Sequence, residues 1–370
     1  MIVHRPESAD VVIGMYDSCR GKVIVRLNNI SLKTSIRLAL GFLVLAEFFP
    51  AAAHSQGCKN WHDPSKHLTQ FVKVDSEVQL EVLDWGGTGR PIVLLAGSGN
   101  TAHIFDDFAE KLSGTCCHVY GITRRGFGQS SHPAQGYDQQ RLADDVLQVL
   151  DALKLIDPVI AGHSMSGEEL TTLGDEHSSR LGGLIYLDAA DDPTDFPGAS
   201  ADYKALFEKL PEAMRNRTSP APADLKSFQA FHDYRVRTGG FPYPESELHN
   251  TLACNPDSSV GKNTAADHVH EYIGAGAQSR DYSSIRVPVL AIFGTLGVAP
   301  LYQPKDEHER ILIQNFESAT DVYEQRYKKN LRLAKASVHI IDMPKANHYL
   351  FLSNEADVPR EIRAFLATLQ

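Results

Sequence analysis

Strongly basic stretches are missing from this sequence beyond its first forty residues. The formal net charge is −10 and the pI about 5.9. Proteins that bind nucleic acid need a basic face to neutralise phosphates, so the sequence argues against a nucleic-acid partner. Internal repeats and low-complexity segments are missing too, and 42% hydrophobic with 22% charged residues is an ordinary globular composition. The length allows one large domain or two modest ones.

The N-terminal apolar run, Leu38–Ala46, is too short to cross a membrane, because a spanning helix needs roughly 20 apolar residues. Basic residues precede this run and small residues follow it, a succession typical of a secretory signal peptide. We therefore expect residues 1–53 to be a leader, cleaved after Ala53 or Ser55, and the protein to be secreted or periplasmic. The alternatives are an uncleaved N-terminal anchor and a chance apolar helix.

Cysteine is scarce, with five residues in the chain. Removal of the leader leaves Cys58, Cys116, Cys117 and Cys254, an even number that permits disulfides in an oxidising compartment. The pairing stays open, although adjacent strand residues point to opposite faces, so one of Cys116 and Cys117 can pair while the other is buried. No Cys/His spacing resembles a zinc site, and we expect neither a metal nor an organic cofactor.

Signals for short buried strands alternate with signals for helices along most of the chain. The predicted strands are Phe71–Val74, Val78–Trp85, Pro91–Leu95, His118–Ile122, Pro158–Ala161, Leu184–Leu187, Val287–Phe293 and Ser337–Ile341. The predicted helices are Thr101–Leu112, Asp138–Leu153, Glu168–His177, Asp306–Ala334 and Asp357–Leu369. The first two strands are expected to form a hairpin. The alternation predicts an α/β fold with a mostly parallel sheet covered by helices on both faces.

The alternation stops between Asp192 and about Tyr282, where we find no strand signal. Helix-like segments, Ala201–Leu210, Ala223–Val236 and Asn263–Ile273, are joined there by links that contain proline and glycine. We therefore predict a helical cap, residues 193–282, inserted into a core formed by residues 54–192 and 283–370.

The strongest chemical signal is a serine between a strand and a helix, in Gly162-His-Ser164-Met-Ser166-Gly167. A tight turn of this kind strains the serine backbone and lifts its hydroxyl clear of the sheet, while the helix N-terminus offers backbone N–H groups to an oxyanion. The pattern G-x-S-x-G is matched except that Ser166 replaces the last glycine, which keeps a small side chain. We predict that Ser164 is a nucleophile and that Met165 supplies an oxyanion N–H. A serine in an ordinary β–α turn is the alternative.

A histidine follows the last predicted strand, in Met343-Pro-Lys-Ala-Asn347-His348. Sixteen histidines are present, and His348 is distinguished by its place at a strand end rather than by its residue type. A histidine there can reach the serine turn from a neighbouring strand end, as a general base must. The alternative is a surface histidine in a helix N-terminal turn.

The chain from about Val82 to Asp192, and again from Val287 to its end, resembles the α/β-hydrolase superfamily. The resemblance is carried by Gly97-Ser98, the stretch Thr123–Ser131, Gly162–Gly167 and Asn347-His348. It implies that the loop after the third strand supplies a second oxyanion N–H, from Ser98. Ala96 stands where this family commonly has histidine, a change that leaves the backbone donor in place.

The catalytic acid is the least direct assignment. The commonest position in this superfamily, just after Val287–Phe293, holds no carboxylate, and Asp306 lies too far along the chain for a short turn. The preceding strand ends in Tyr186-Leu-Asp188-Ala, which is similar to the context of the acid in haloalkane dehalogenases. We therefore predict Asp188, with Asp191 in reserve.

Those dehalogenases and the related epoxide hydrolases use an aspartate nucleophile, so Ser164 at this position implies acyl transfer. The resemblance thus implies a serine hydrolase that acts on a small-molecule substrate, with a carboxylic ester as the first expectation. The alternatives are cleavage of an amide, a lactone or a carbon–carbon bond on the same triad, and a catalytically silent α/β-hydrolase fold that serves as a binding protein.

Overall fold

The computed structural model describes residues 58–114, 116–195, 200–215, 219–265, 267–295 and 302–369. The predicted leader, residues 1–53, and its two cleavage positions lie outside the described residues. None of the described helices combines the length and the apolar character that a membrane crossing requires.

Eight strands in the described part of the chain form one sheet. The strands are β1 (Leu68–Lys73), β2 (Gln79–Gly86), β3 (Arg90–Leu95), β4 (Cys117–Ile122), β5 (Val159–His163), β6 (Gly183–Leu187), β9 (Val289–Thr295) and β10 (Val338–Pro344). Their order in the sheet is β1-β2-β4-β3-β5-β6-β9-β10. The strands β1 and β2 form an antiparallel hairpin, β2 is antiparallel to β4, and the remaining neighbours are parallel. The predicted hairpin and the mostly parallel sheet are confirmed.

The central strands are short and almost wholly apolar because both of their faces are buried. Alternate residues belong to different hydrophobic clusters: Ile92 and Leu94 pack on one side of the sheet, and Val93 and Leu95 on the other. Helices cover both sides. Among the described residues they are α1 (Asp106–Leu112), α2 (Gln139–Ala152), α3 (Gly167–His177), α4 (Ala201–Lys209), α5 (Glu212–Arg215), α6 (Phe228–Gly239), α7 (Glu245–Thr251), α8 (Asp267–Ala275), α9 (Glu307–Leu331), α10 (Leu350–Ser353) and α11 (Asp357–Leu366).

The elements α4 to α8 lie between β6 and β9, in the region predicted as a helical cap. The expectation that this region holds no strand is wrong. The strands β7 (Leu252–Cys254) and β8 (Val260–Asn263) form a small antiparallel sheet of their own. Strands of three and four residues are too short to show the period-two alternation by which a strand is recognised.

Several helix starts are set by side-chain caps. Asp138 and Asp306 accept hydrogen bonds from backbone N–H groups in the first turns of α2 and α9, where the sequence predicted helices to begin. The predicted helix Ala223–Val236 begins later, at Phe228, because the Ser227 side chain caps α6 by accepting from the N–H of Ala230. Such caps satisfy backbone donors that the helix itself leaves unpaired.

A disulfide joins Cys58, in the N-terminal segment, to Cys254 on β7, across a sequence separation of 196 residues. The ring of Trp61 stacks on that of His249, with centroids 4.1 Å apart, and so reinforces the same junction. Of the cysteines in the described residues, Cys116 and Cys117 are unpaired. The structure therefore selects a pairing that the sequence left open.

We expect reduction of this disulfide to lower the free energy of unfolding by about 2–5 kcal/mol, because a crosslink over a long loop restricts the unfolded chain. Urea denaturation of the oxidised protein, the reduced protein and the Cys58→Ser variant measures the effect. The Cys116→Ser variant is the matched control and should unfold like the wild type. Equal urea midpoints for the oxidised and reduced proteins would contradict the prediction.

Candidate active site

The turn between β5 and α3 holds Ser164 in a strained backbone conformation, with a φ of +54°. Positive φ is costly for a residue with a side chain and is concentrated at functional sites. Small neighbours make the turn possible. A Cβ at Gly162 would lie 2.8 Å from the Cβ of Ser166, and one at Gly167 would overlap the carbonyl oxygen of Ala189.

Ser166, the departure from the expected glycine, ties the serine turn to the end of β3. Its hydroxyl oxygen lies 2.9 Å from the carbonyl oxygen of Leu95 and 2.7 Å from that of Ala96. The hydroxyl can donate its single hydrogen to either of them. Arg124 also donates to the carbonyl oxygen of Ala96, and its Nε donates to Glu169. These contacts fix the start of the predicted oxyanion loop against the serine turn.

The structure brings Ser164, His348 and Asp188 into one hydrogen-bonded chain. Nε2 of His348 lies 3.0 Å from Oγ of Ser164, and Nδ1 lies 2.8 Å from Oδ2 of Asp188. Because the carboxylate only accepts, the ring donates through Nδ1 and leaves Nε2 free to accept from the serine hydroxyl. This is the arrangement of a nucleophile, a base and an orienting acid.

Asp188 follows β6 directly and has a φ of +49°. The N–H of Gly294, at the end of β9, donates to its Oδ1 at 3.1 Å, which leaves Oδ2 for His348. A Cβ at Gly294 would lie 2.9 Å from the carbonyl oxygens of Ala346 and Asn347, so this glycine also lets the His348 loop approach.

Three other aspartates that follow β6 and β9 along the chain have other partners. Asp191 lies 3.6 Å from the guanidinium of Arg280. Asp192 accepts from Thr194 and Ser279, and Asp306 caps α9.

His163, the residue before Ser164, is hydrogen-bonded to the backbone of the His348 loop. It is fully buried, and its Nε2 donates to the backbone carbonyl oxygen of His348 at 3.0 Å. Burial, together with the neighbouring His348, holds the pKa of His163 well below its usual value, so the ring is neutral. A neutral ring would keep a second positive charge away from an imidazolium at His348, the charged form that a general base takes on when it accepts a proton.

The two predicted oxyanion donors belong to backbone segments close to Ser164. Met165 is in the helical turn Ser164–Ser166 that leads into α3, where the first N–H groups have no partner within the helix. Ser98 follows Gly97, and a Cβ at Gly97 would lie only 3.0 Å from the Cβ of Ser164. The structure thus places both backbone segments next to the predicted nucleophile.

The inserted region contacts both of these segments. On α8, His270 Nδ1 lies 3.1 Å from Oγ of Ser98, and Val269 and Ile273 belong to the apolar cluster against which Met165 packs. Tyr349, next to His348, donates to Asn100 at 3.1 Å, which links the oxyanion loop to the His348 loop.

A buried side chain on α7, that of Glu247, binds the end of the predicted oxyanion loop, which is the loop after β3 that carries Ser98 and continues to Thr101. Glu247 accepts from the hydroxyl of Thr101 at 2.5 Å and from the amide of Asn100 at 2.8 Å. Periodicity and motif analysis missed Glu247 and Asn100, because their pairing joins positions 147 residues apart. No local signal distinguishes Glu247, because Glu245, two residues earlier, carries the same side chain and is only partly buried.

Burial raises the pKa of Glu247 to about 7 from the usual 4.5 of a glutamate side chain, while hydrogen bonds from Thr101 and Asn100 oppose the shift. The folded protein therefore retains a proton that the unfolded chain has released, and its stability falls as pH rises through this interval. We expect the free energy of unfolding of the Glu247→Gln variant to lack this decrease with pH, which amounts to about 3 kcal/mol in the wild type.

Urea denaturation between pH 4.5 and pH 7 measures the difference in unfolding free energy between wild type and variant. Taking the difference cancels the contributions of the other titrating groups, which are the same in both proteins. The control is the Glu208→Gln variant, which removes an exposed glutamate and should show the same pH dependence as the wild type. A difference that does not change with pH would contradict the prediction.

The fold and this site together define a class of protein. The model of the alpha/beta hydrolase family matches residues 92–361, and the chain belongs to that family. The serine turn, the Ser98 loop and the His348 loop described above all lie within the matched range.

The matches to individual proteins cover less of the chain than the match to the family does. An AB hydrolase superfamily protein of Bacillus subtilis (strain 168), YisY, is 34% identical over 124 residues, which are 33% of this chain and 46% of that protein. A non-heme chloroperoxidase of Burkholderia pyrrocinia is 27% identical over 240 residues, which are 60% of this chain and 81% of that protein. The chain spans less than half the length of the first curated relatives it matches.

Solved structures agree in fold. The structure of E-2-(acetamidomethylene)succinate hydrolase has a TM-score of 0.57 at 16% identity and covers 82% of this chain and 100% of its own. An esterase from Exiguobacterium antarcticum has a TM-score of 0.52 at 17% identity, covering 81% and 100%. At these identities the likeness concerns the fold alone.

Proposed function

We propose that this protein is a serine hydrolase that cleaves carboxylic esters through an acyl-enzyme intermediate. The observation that carries the proposal is the chain of hydrogen bonds from Ser164 Oγ through His348 to Asp188, with distances of 3.0 Å and 2.8 Å. The positive φ of Ser164 supports it, since backbone strain of this kind is expected where a nucleophile must be exposed.

In the proposed reaction, Oγ of Ser164 attacks the ester carbonyl carbon while His348 accepts the hydroxyl proton. Asp188 keeps the ring oriented and stabilises the imidazolium. The N–H groups of Ser98 and Met165 hold the oxyanion, each worth roughly 3 kcal/mol of transition-state stabilisation. His348 then passes its proton to the leaving alcohol, and water, deprotonated by the same histidine, hydrolyses the acyl-enzyme.

Reaction with a fluorophosphonate probe separates an active serine hydrolase from a silent fold that only binds ligands. We expect the probe to label the wild type on Ser164 and to leave the Ser164→Ala variant unlabelled. A wild type that stays unlabelled would overturn the proposal. A series of p-nitrophenyl esters of increasing chain length then tests ester cleavage, and labelling without turnover of any of these esters would favour an amide, lactone or carbon–carbon bond substrate.

We further propose that the protein is exported, with residues 1–53 as its leader. The Cys58–Cys254 disulfide supports this, because structural disulfides persist mainly in oxidising compartments. N-terminal sequencing of protein from its native host should find a start near His54 or Gln56. Retention of Met1 or Met15 would refute cleavage.

A further inference from the structure

Four side chains that can bind a metal meet in a region where the sequence indicated no metal ligand. They are Asp63, His67, His103 and Asp106, and one ligand atom from each lies within 4.8 Å of the others. We propose that these residues form a closed structural zinc site. The proposal is independent of the proposed acyl chemistry, because none of the four residues belongs to the candidate active site.

Two short spacings along the chain bring the ligands together. Asp63 and His67 are at positions i and i+4 in the segment before β1, and His103 and Asp106 are at i and i+3, in a helical turn and at the start of α1. Each pair alone is common in proteins. The fold brings the two pairs together, because the segment before β1 packs against the start of α1.

The distances between the ligand atoms suit a small tetrahedral ion. His67 Nδ1 lies 2.8 Å from Asp106 Oδ1, and His103 Nδ1 lies 3.3 Å from Asp106 Oδ2. His103 Nδ1 also lies 3.4 Å from Asp63 Oδ2. His67 would bind through one of its ring nitrogens, and its Nε2 lies 3.7 Å from Asp63 Oδ2. Ligands bound to Zn²⁺ at its usual bond lengths are roughly 3.4 Å apart in a tetrahedron, so small side-chain rotations would admit the ion.

The hydrogen bonds that the four side chains make to their neighbours also match those around a metal site. His103 turns Nδ1 toward the two aspartates, and its Nε2 lies 3.4 Å from Oε1 of Glu81. Asp106 accepts from Trp85 Nε1 at 3.0 Å and from Ser246 Oγ at 2.5 Å. Metal-bound histidines usually donate their other N–H to a carboxylate, and ligating carboxylates are themselves hydrogen-bonded.

Charge and burial favour a cation at this place. Three carboxylates, of Asp63, Glu81 and Asp106, surround two imidazoles, and the side chains of His103, Glu81 and Asp106 are at most 4% exposed. Buried negative charge needs compensation, which a divalent ion would provide. Protonation of both imidazoles is the rival way to balance this charge. Asp63 is 25% exposed and leaves a route for the ion to enter.

The test uses the full chain, stripped with a chelator and then titrated with Zn²⁺ alone. We expect about one Zn²⁺ bound per chain by elemental analysis, together with a higher Tm. Substitution with Co²⁺ should give the intense visible bands of tetrahedral coordination. The His67→Gln variant should lose this binding, and Glu81→Gln should weaken it by about 10–100-fold.

The matched control is His118→Gln, which removes another histidine that is paired with an aspartate, 2.7 Å from Asp84 and away from the cluster. It should bind Zn²⁺ like the wild type. Equal affinities of His67→Gln and His118→Gln, or a wild type that takes up no Zn²⁺, would overturn the proposal. If His67→Gln fails to fold, the Co²⁺ spectrum of the wild type decides, and a spectrum without tetrahedral bands overturns the proposal.

Discussion

Replacement of Ser164 or His348 by alanine is expected to lower kcat roughly 10⁶-fold, with the double variant no worse than either single variant. The serine hydroxyl is a poor nucleophile until His348 accepts its proton, and the histidine has no role in the attack without the serine. Because the two side chains act as one unit, at a separation of 3.0 Å, their losses should not add. Steady-state kinetics on the best ester from the chain-length series measures all three variants.

The matched control is His339→Ala, which removes an exposed histidine from β10, the strand that leads to His348. It should retain activity close to that of the wild type. A His348→Ala variant within about tenfold of wild-type kcat would show that the base is another residue, because general acid–base catalysis alone contributes about 10²–10⁴-fold.

The Asp188→Asn variant is expected to lose on the order of 10⁴ in kcat while remaining folded, the loss known for this change in a serine protease. The reason lies in the N–H of Gly294, which donates to Oδ1 of Asp188. That donor obliges an asparagine to keep its carbonyl oxygen there and to turn its NH₂ toward His348. The ring must then accept at Nδ1 and carry its proton on Nε2, where it can no longer accept the proton of Ser164.

Asp306→Asn is the comparison variant, because asparagine also caps helices well and the cap on α9 should survive. It should leave kcat nearly unchanged, and circular dichroism should show both variants folded. An inactive Asp306→Asn beside an active Asp188→Asn would place the acid after the later strand instead.

Much of the fold and the position of the site were predictable because their signals are local. The strands β3, β5 and β6 are short apolar runs between turn residues, and the small residues around Ser164 mark a tight turn between strand and helix. His348 was predicted from its place at a strand end, and Asp188 from its place at a strand end together with the resemblance to haloalkane dehalogenases. The ends of parallel strands meet at one edge of a sheet. The structure brings these three side chains together.

The unpredicted parts depend on contacts between distant segments. The hairpin of β7 and β8 is too short for periodicity, and it is held by the bond from Cys254 to Cys58. The link from Glu247 to Thr101 and the cluster around Asp106 join chain segments that no spacing relates. Ser166 was recognised as small, but its hydrogen bonds to the end of β3 follow from the folded turn alone.

The Cys58–Cys254 disulfide closes residues 58–254 into a covalent ring, and the residues after Cys254 form a linear C-terminal part. Ser164 and Asp188 lie within the ring, whereas His348 belongs to the linear part, together with β9, α9 and β10. Detachment of the linear part alone would separate the histidine from both of its partners while the ring kept its crosslink. A loss of activity before the loss of bulk spectroscopic signal during unfolding would therefore report detachment of the C-terminal part.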